Sequence, residues 1–123
     1  MNARRKPVLI VDDDHDMRAT LSDVLEGEGY DVLVAGNGLQ ALQQLRANTR
    51  PGLILLDWMM PICDGPEFRR QQKADAAIAD VPVAVLTADT RLTDKTTAID
   101  AVDYLHKPVE LDRLLELIER YCG

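Results

Sequence analysis

Aromatic residues are scarce in this chain. One tryptophan, one phenylalanine and three tyrosines serve 123 residues, of which 46% are hydrophobic, so the core must be built from aliphatic side chains. Cysteine is scarce too. Cys63 and Cys122 are too few for a disulfide scaffold and have no metal-ligand spacing, and both read as free thiols of a reducing, cytoplasmic compartment. Long apolar runs are missing. The run behind the basic start is only Val8 to Val11, short of the roughly 7–15 residues of a secretory core and of the roughly 20 that span a bilayer. Positive charge is in deficit, with 14 Lys and Arg against 21 Asp and Glu and a net charge of −7. That balance argues against sequence-independent nucleic-acid binding, which needs a basic face to displace counterions, and disfavours adsorption to anionic lipid. Neither a G-x-x-x-x-G-K-[ST] loop nor a G-x-G-x-x-G turn is present, so no nucleotide site is expected.

What the chain does have is regular alternation. Short apolar runs at 7–11, 31–35, 52–56, 82–86 and 102–105 have strand length, and three are nearly continuous, the mark of strands buried on both faces of a parallel sheet. Between them lie helical spacings: Met17, Leu21, Val24 and Leu25; Leu39, Leu42 and Leu45; and Leu111, Leu114, Leu115 and Ile118. Asp14 suits an N-cap, Gly27 or Gly29 a stop, Asn37-Gly38 a second helix start, and Asp64-Gly65-Pro66 a third. A weakly patterned fourth helix is expected around Thr90 to Asp100, and a last one over about Val109 to Tyr121. The order β-α five times over predicts an α/β fold, (βα)5, with a five-stranded parallel sheet covered by helices on both faces. Ligands of such folds bind at the carboxyl ends of the strands.

Those ends carry polar groups on four strands. Asp12, Asp13 and Asp14 follow the first, Asp57 the third, Thr87 the fourth and Lys107 the fifth. Each alone has an ordinary reading as turn, cap or solvated surface. Together, at one edge of one sheet, they suit a particular chemistry. Clustered carboxylates repel unless a cation sits among them, and hard oxygen ligands with open positions suit Mg²⁺. One carboxylate can then attack phosphorus to form an aspartyl phosphate, with the lysine and the hydroxyl available to phosphoryl oxygens. His15 and His106 lie beside these groups without forming a metal pair and read as peripheral.

The segments PVLIVDDDHDMR, LILLDWMMPICDG, VAVLTAD and DYLHKPVE, in that order, resemble a response-regulator receiver domain of two-component signalling over essentially the whole chain. The resemblance implies a flavodoxin-like three-layer sandwich. It makes Asp57 the phosphoacceptor. Asp12, Asp13 and the Met59 main-chain carbonyl join Asp57 as the Mg²⁺ site, Thr87 and Tyr104 become the switch pair, and Lys107 the phosphoryl-pairing lysine. Pro61 and Asp64-Gly65 match the turn after the acceptor strand, and the Lys107-Pro108 bond is cis in many relatives. The implied donor is a phospho-histidine on a sensor kinase or histidine phosphotransfer protein. The implied output is a change in the fourth helix, fifth strand and last helix, read by a downstream partner. Such a domain catalyses only its own phosphorylation and dephosphorylation.

Some residues depart from that pattern. Relatives carry a Gly-Ala or similar pair ahead of the fifth strand, whereas Ala98 to Tyr104 reads AIDAVDY, so the turn there is expected to be shortened or rebuilt. Met59 and Asp89 hold positions that tune dephosphorylation in the family. Leu92 and Ile99 are the main apolar candidates of the fourth helix, expected to be the least stable one. Cys63 and Cys122 fall at opposite ends of the sheet, so no disulfide is expected between them. Two other readings compete: a haloacid-dehalogenase-like phosphatase using Asp12-x-Asp14, and a phosphorylation-independent interaction module on the same fold. A flavodoxin-like electron carrier is disfavoured, because three aspartates would repel the FMN phosphate. Residues 1–123 are expected to form one receiver domain with no output domain on the chain.

Overall fold

Alternation along the strands determines how the sheet is covered. The computed structural model describes residues 6–47, 50–88 and 100–123. In chain order these form β1 (Val8–Val11), α1 (His15–Gly27), β2 (Val32–Ala35), α2 (Gly38–Arg46), β3 (Leu53–Asp57), α3 (Gly65–Lys73), β4 (Val83–Thr87), β5 (Asp103–His106) and α4 (Leu111–Cys122). The strands make one parallel sheet in the order β2-β1-β3-β4-β5. Leu9 and Val11 of β1 join one core cluster, with Leu42, Phe68 and Val85. Val8 and Ile10 join another, with Leu25, Leu86, Leu114 and Ile118. Successive side chains of a strand point to opposite faces, so α2 and α3 cover one face and α1 and α4 the other. Every residue of β1, β3 and β4 is buried, which is why those runs lack a polar alternation. Each buried Leu, Ile or Val adds roughly 1.5–3 kcal/mol of transfer free energy.

The expected boundaries hold to within a residue or two. Asp14 caps α1 by accepting from the Asp16 and Met17 amides, Asn37 caps α2 through Gln40, and Asp64 caps α3 through Glu67. Helix α1 ends at Gly27, and Gly29 takes a left-handed φ of 92° beyond it. The strands β3, β4 and β5 each run one residue further than their apolar runs, taking in Asp57, Thr87 and His106. The main-chain ladder continues there (Asp57 is in register with Leu86, and Thr87 with His106) although the side chains have turned polar. The helix expected around Thr90 to Asp100, with Leu92 and Ile99, lies outside the described residues up to Asp100, as does Asp89. Asp100 itself adopts φ 60° ahead of β5, a left-handed conformation that glycine and short polar residues take most readily. Both cysteines are free, as expected. Among the described residues no helix is long and apolar enough to cross a membrane.

The strand edges and chain ends are also managed. The outward main-chain groups past the exposed Val34 of β2 are covered from α2: Gln44 donates its amide to the Val34 carbonyl, and Gln40 Oε1 accepts from the Gly36 amide at 2.8 Å. Covering an edge in this way removes a template for pairing with another chain. At the opposite end of the sheet the Lys6 amide donates to the Cys122 carbonyl at 3.0 Å, so the start and finish of the described fold touch. The double substitution Gln40→Ala with Gln44→Ala should cost about 1–2 kcal/mol in urea unfolding, the worth of two exposed hydrogen bonds, and should speed amide exchange along β2 selectively.

Candidate functional site

Register brings the two key carboxylates together before any side-chain chemistry is considered. Val11 of β1 is paired with Leu56 of β3, so the next residues, Asp12 just past β1 and Asp57 at the end of β3, stand side by side. The strand order reverses between these two strands, because β1 leads through α1 outward to β2 while β3 leads through α3 to β4. The loops diverge there and leave the crevice in which ligands of such folds sit. Asp12 is fully buried, Asp57 is 5% exposed and Asp13 is exposed. One carboxylate oxygen from each of the three lies within 4.8 Å of the others.

Asp12 is held from several sides. Its Oδ1 accepts from the Asp14 amide at 2.9 Å, its Oδ2 faces Lys107 Nζ at 3.1 Å, and its carbonyl accepts from Arg18 Nη1 at 2.7 Å. Lys107 also stands 3.5 Å from Asp57 Oδ1, which the Met59 amide approaches at 3.4 Å. The lysine thus bridges two strands' carboxylates. It is delivered from β5, where its amide donates to the Thr87 carbonyl at 2.8 Å and its peptide bond to Pro108 is cis. Thr87 is buried at the end of β4. Tyr104 lies half-buried on β5 against the Leu9–Val85 core cluster, in register with Val85.

Two close approaches shape the loop behind the acceptor strand. The Gly38 amide donates to the Cys63 carbonyl at 3.1 Å, and a Cβ on Gly38 would meet that oxygen at 2.3 Å. Gly65 donates to the Trp58 carbonyl at 3.1 Å, and a Cβ there would lie 2.4 Å from the indole ring and 2.9 Å from Trp58 Cα. Glycine at both places lets helix starts pack on the loop. Trp58, next to Asp57, is buried.

Burial and the neighbouring Asp12 charge push the Asp57 carboxyl up from 3.8 to about 7; contact between the two carboxyl groups adds to this, while Lys107 and the Met59 amide oppose it. The donor set fits a small hard cation. Two buried carboxylates and one exposed carboxylate share a crevice with the Lys107 ammonium, a pocket of oxygen ligands with an open side.

Each site residue expected from the sequence is at this edge except Tyr104, which stands two register steps below Thr87, and Asp89, which is not described. Asp14 serves elsewhere. Its carboxylate caps α1 and is exposed, which leaves no second acid for a D-x-D phosphatase pair. His15 is exposed beside Asp16. The His106 side chain carries a buried Nε2 with no hydrogen-bond partner among the described residues, beside Thr87 in register. Sequence reasoning missed Arg18. It sits one helical turn beyond the Asp14 cap, which was the available signal for a side chain reaching back to the β1 terminus.

The raised Asp57 carboxyl has a consequence for stability. With divalent cations chelated, folded Asp57 keeps a proton that the unfolded chain releases near 3.8, so stability should fall as pH rises from about 4 to about 7. Asp57→Asn should remove that loss, and urea melts of the two proteins in chelator should diverge in favour of the variant as pH rises. Gly65→Ala should cost about 1–3 kcal/mol, as overpacking does, and should shift Trp58 emission; unchanged emission would place the strain elsewhere.

Comparisons with known proteins agree with this arrangement. Residues 8–119 match the family model "Response regulator receiver domain". The chain is 39% identical over 117 residues to the DNA-binding response regulator MtrA of Mycobacterium tuberculosis (strain ATCC 25618 / H37Rv), covering 94% of this chain and 50% of that protein. It is 42% identical over 110 residues to the response regulator MprA of Mycobacterium sp. (strain KMS), covering 88% and 46%. The chain therefore spans about half the length of these curated relatives. A response regulator receiver protein from Pseudomonas putida superposes with a TM-score of 0.86 at 32% identity, over 96% of this chain and 98% of that one. The receiver domain of the sensor histidine kinase PA1611 from Pseudomonas aeruginosa PAO1, solved with a magnesium ion coordinated in its active-site cleft, gives 0.85 at 27% identity, over 95% and 97%. With the model match spanning nearly the whole chain and the acidic crevice in place, this chain belongs to the response regulator receiver domain family.

Proposed function

We propose that Asp57 is the phosphoacceptor of a phosphorelay switch and that Asp12, Asp13, Asp57 and the Met59 carbonyl hold Mg²⁺. The observation that carries this reading is the shared position of Lys107, 3.1 Å from Asp12 and 3.5 Å from Asp57, over a three-carboxylate crevice. The magnesium seen in the PA1611 receiver supports the choice of metal. When bound, the ion would neutralise charge on the transferring phosphoryl group and on the carboxylates around it.

The protein's own groups then have separate roles. A carboxylate oxygen of Asp57 forms the new O–P bond as the P–N bond of a phospho-histidine breaks and the imidazole leaves. For that it must be ionised, which burial beside Asp12 opposes and cationic neighbours favour. Lys107 pairs with a phosphoryl oxygen, and the Thr87 hydroxyl approaches another. The Lys107 amide is bonded to the Thr87 carbonyl, so the two strand ends that carry these groups are tied together. Tyr104 follows Thr87, and the surface of β5 and α4 is read by a partner. The family implies a sensor histidine kinase or phosphotransfer protein as donor. The downstream effector is a separate protein or a further part of a longer chain; MtrA, twice the matched length, is described as DNA-binding.

The competing phosphatase reading has no support in the geometry, since Asp14 caps a helix. The interaction-module reading requires a lost acceptor, acidic pair or lysine, and all are present. Incubation with Mg²⁺ and acetyl phosphate should add one phosphoryl group by intact mass. Asp57→Asn should abolish it, and Asp13→Asn should raise the Mg²⁺ needed by about tenfold or more, the scale of losing a group that supports a metal site. An adduct surviving in Asp57→Asn would sink the assignment. Mg²⁺ should also change Trp58 emission in the wild type, and a flat titration would separate the ion from the acceptor strand.

A further inference from the structure

Helix α3 buries an unusual stripe. Its inward positions include Phe68, Arg69 and Gln72, so a charge and an amide stand where a helix on an aliphatic sheet face needs only carbon. Arg69 is 5% exposed and Gln72 is 0%. A guanidinium is costly to desolvate, and an apolar side chain at 69 would avoid that cost.

Its contacts show what the charge holds. Arg69 Nη1 donates to Gln72 Oε1 at 2.6 Å, and Nη2 donates to the main-chain carbonyl of Asp100 at 3.1 Å. Gln72 in turn donates through Nε2 to the carbonyls of Ile78 at 2.9 Å and Val81 at 3.1 Å. One polar relay therefore runs from the turn before β4, through α3, to the turn before β5. Its far end is the residue with φ 60°, a conformation that costs a residue with a Cβ and persists only where neighbours impose it. The Asp100 carboxylate also meets Lys73 at 3.3 Å, but that pair is exposed and weak. The buried anchor is the guanidinium. Burial pushes the Arg69 pKa down, and the Asp100 and Tyr104 side chains oppose that, so Tyr104 lies within electrostatic reach of the anchor.

We propose that Arg69 is a positioning residue of the switch: by holding the Asp100 carbonyl it fixes the backbone from which β5, and Tyr104 on it, departs. This rests on the switch reading of Thr87 and Tyr104 given above. A ring that answers to Thr87 reports the phosphoryl state only if its own backbone stays put. The arginine fork reaches Gln72 and Asp100 together in a fixed plane; a lysine ammonium is a point charge without that geometry.

The test is hydrogen exchange by mass spectrometry over residues 100–106 of the full chain, with Mg²⁺ and with or without beryllofluoride as a phosphoryl mimic. Wild type should show different uptake in the two conditions. Arg69→Met should accept phosphate from acetyl phosphate at a rate within about twofold of wild type, while the difference over 100–106 shrinks by at least about threefold, a loss of coupling rather than of chemistry. Arg69→Lys should fall between, and Lys73→Ala, which removes only the exposed pair, should keep the wild-type difference. A full wild-type difference in Arg69→Met overturns the proposal; should that variant fail to fold, a full difference in Arg69→Lys does so. A wild type that is phosphorylated without any change over 100–106 overturns the Tyr104 assignment, and the proposal with it.

Discussion

Two carboxylates side by side, both taken out of water, are the constraint around which this molecule is arranged. Asp12 follows the end of β1 and Asp57 ends the adjacent β3, each next to the Val11–Leu56 pair, so the backbone sets the two carboxylates side by side. Their repulsion is offset locally by Lys107, which arrives from the far strand β5. For the lysine to reach them, β4 must lie between β3 and β5 and must itself be covered on both faces. The aliphatic sheet is in this sense the support of a small region of unbalanced charge. A fold without the central strands' continuous burial would let the two acids relax apart, and the tendency to bind a cation or a phosphoryl group would relax with them.

Much of this was legible in the chain. Continuous runs such as LILL and VAVL marked strands buried on both faces, because only a doubly covered sheet leaves no polar alternation. The helix starts were legible at Asp14, Asn37 and Asp64, where a short side chain can satisfy orphan amides. The candidate site was legible in the polar residues that stand just after the apolar runs, Asp12, Asp57, Thr87 and Lys107. Boundaries were less legible: Asp57, Thr87 and His106 belong to their strands because backbone pairing does not depend on side-chain polarity.

Other features depend on contacts far apart in sequence and leave no periodic trace. Arg69 and Gln72 carry no inward signal in the sequence, since nothing in GPEFRRQQK says that the helix turns them toward the sheet. Their partners lie at 78, 81 and 100. The absence of glycine ahead of β5 pointed to a shortened or rebuilt turn but not to the left-handed backbone angle that Asp100 takes there. Arg18 was missed because its target is a main-chain carbonyl, which every residue has.

The contact between Lys6 and Cys122 has a geometric consequence of its own. The two ends of the described chain meet at the amino-terminal edge of the sheet, and the acidic crevice opens at the carboxyl-terminal edge. A short linker could close the chain into a ring, or open it elsewhere as a circular permutant, without a covalent change near Asp57. The same arrangement allows the unit to be inserted into another protein's loop as a cassette, entering and leaving at one point, with its reactive face turned away from the host.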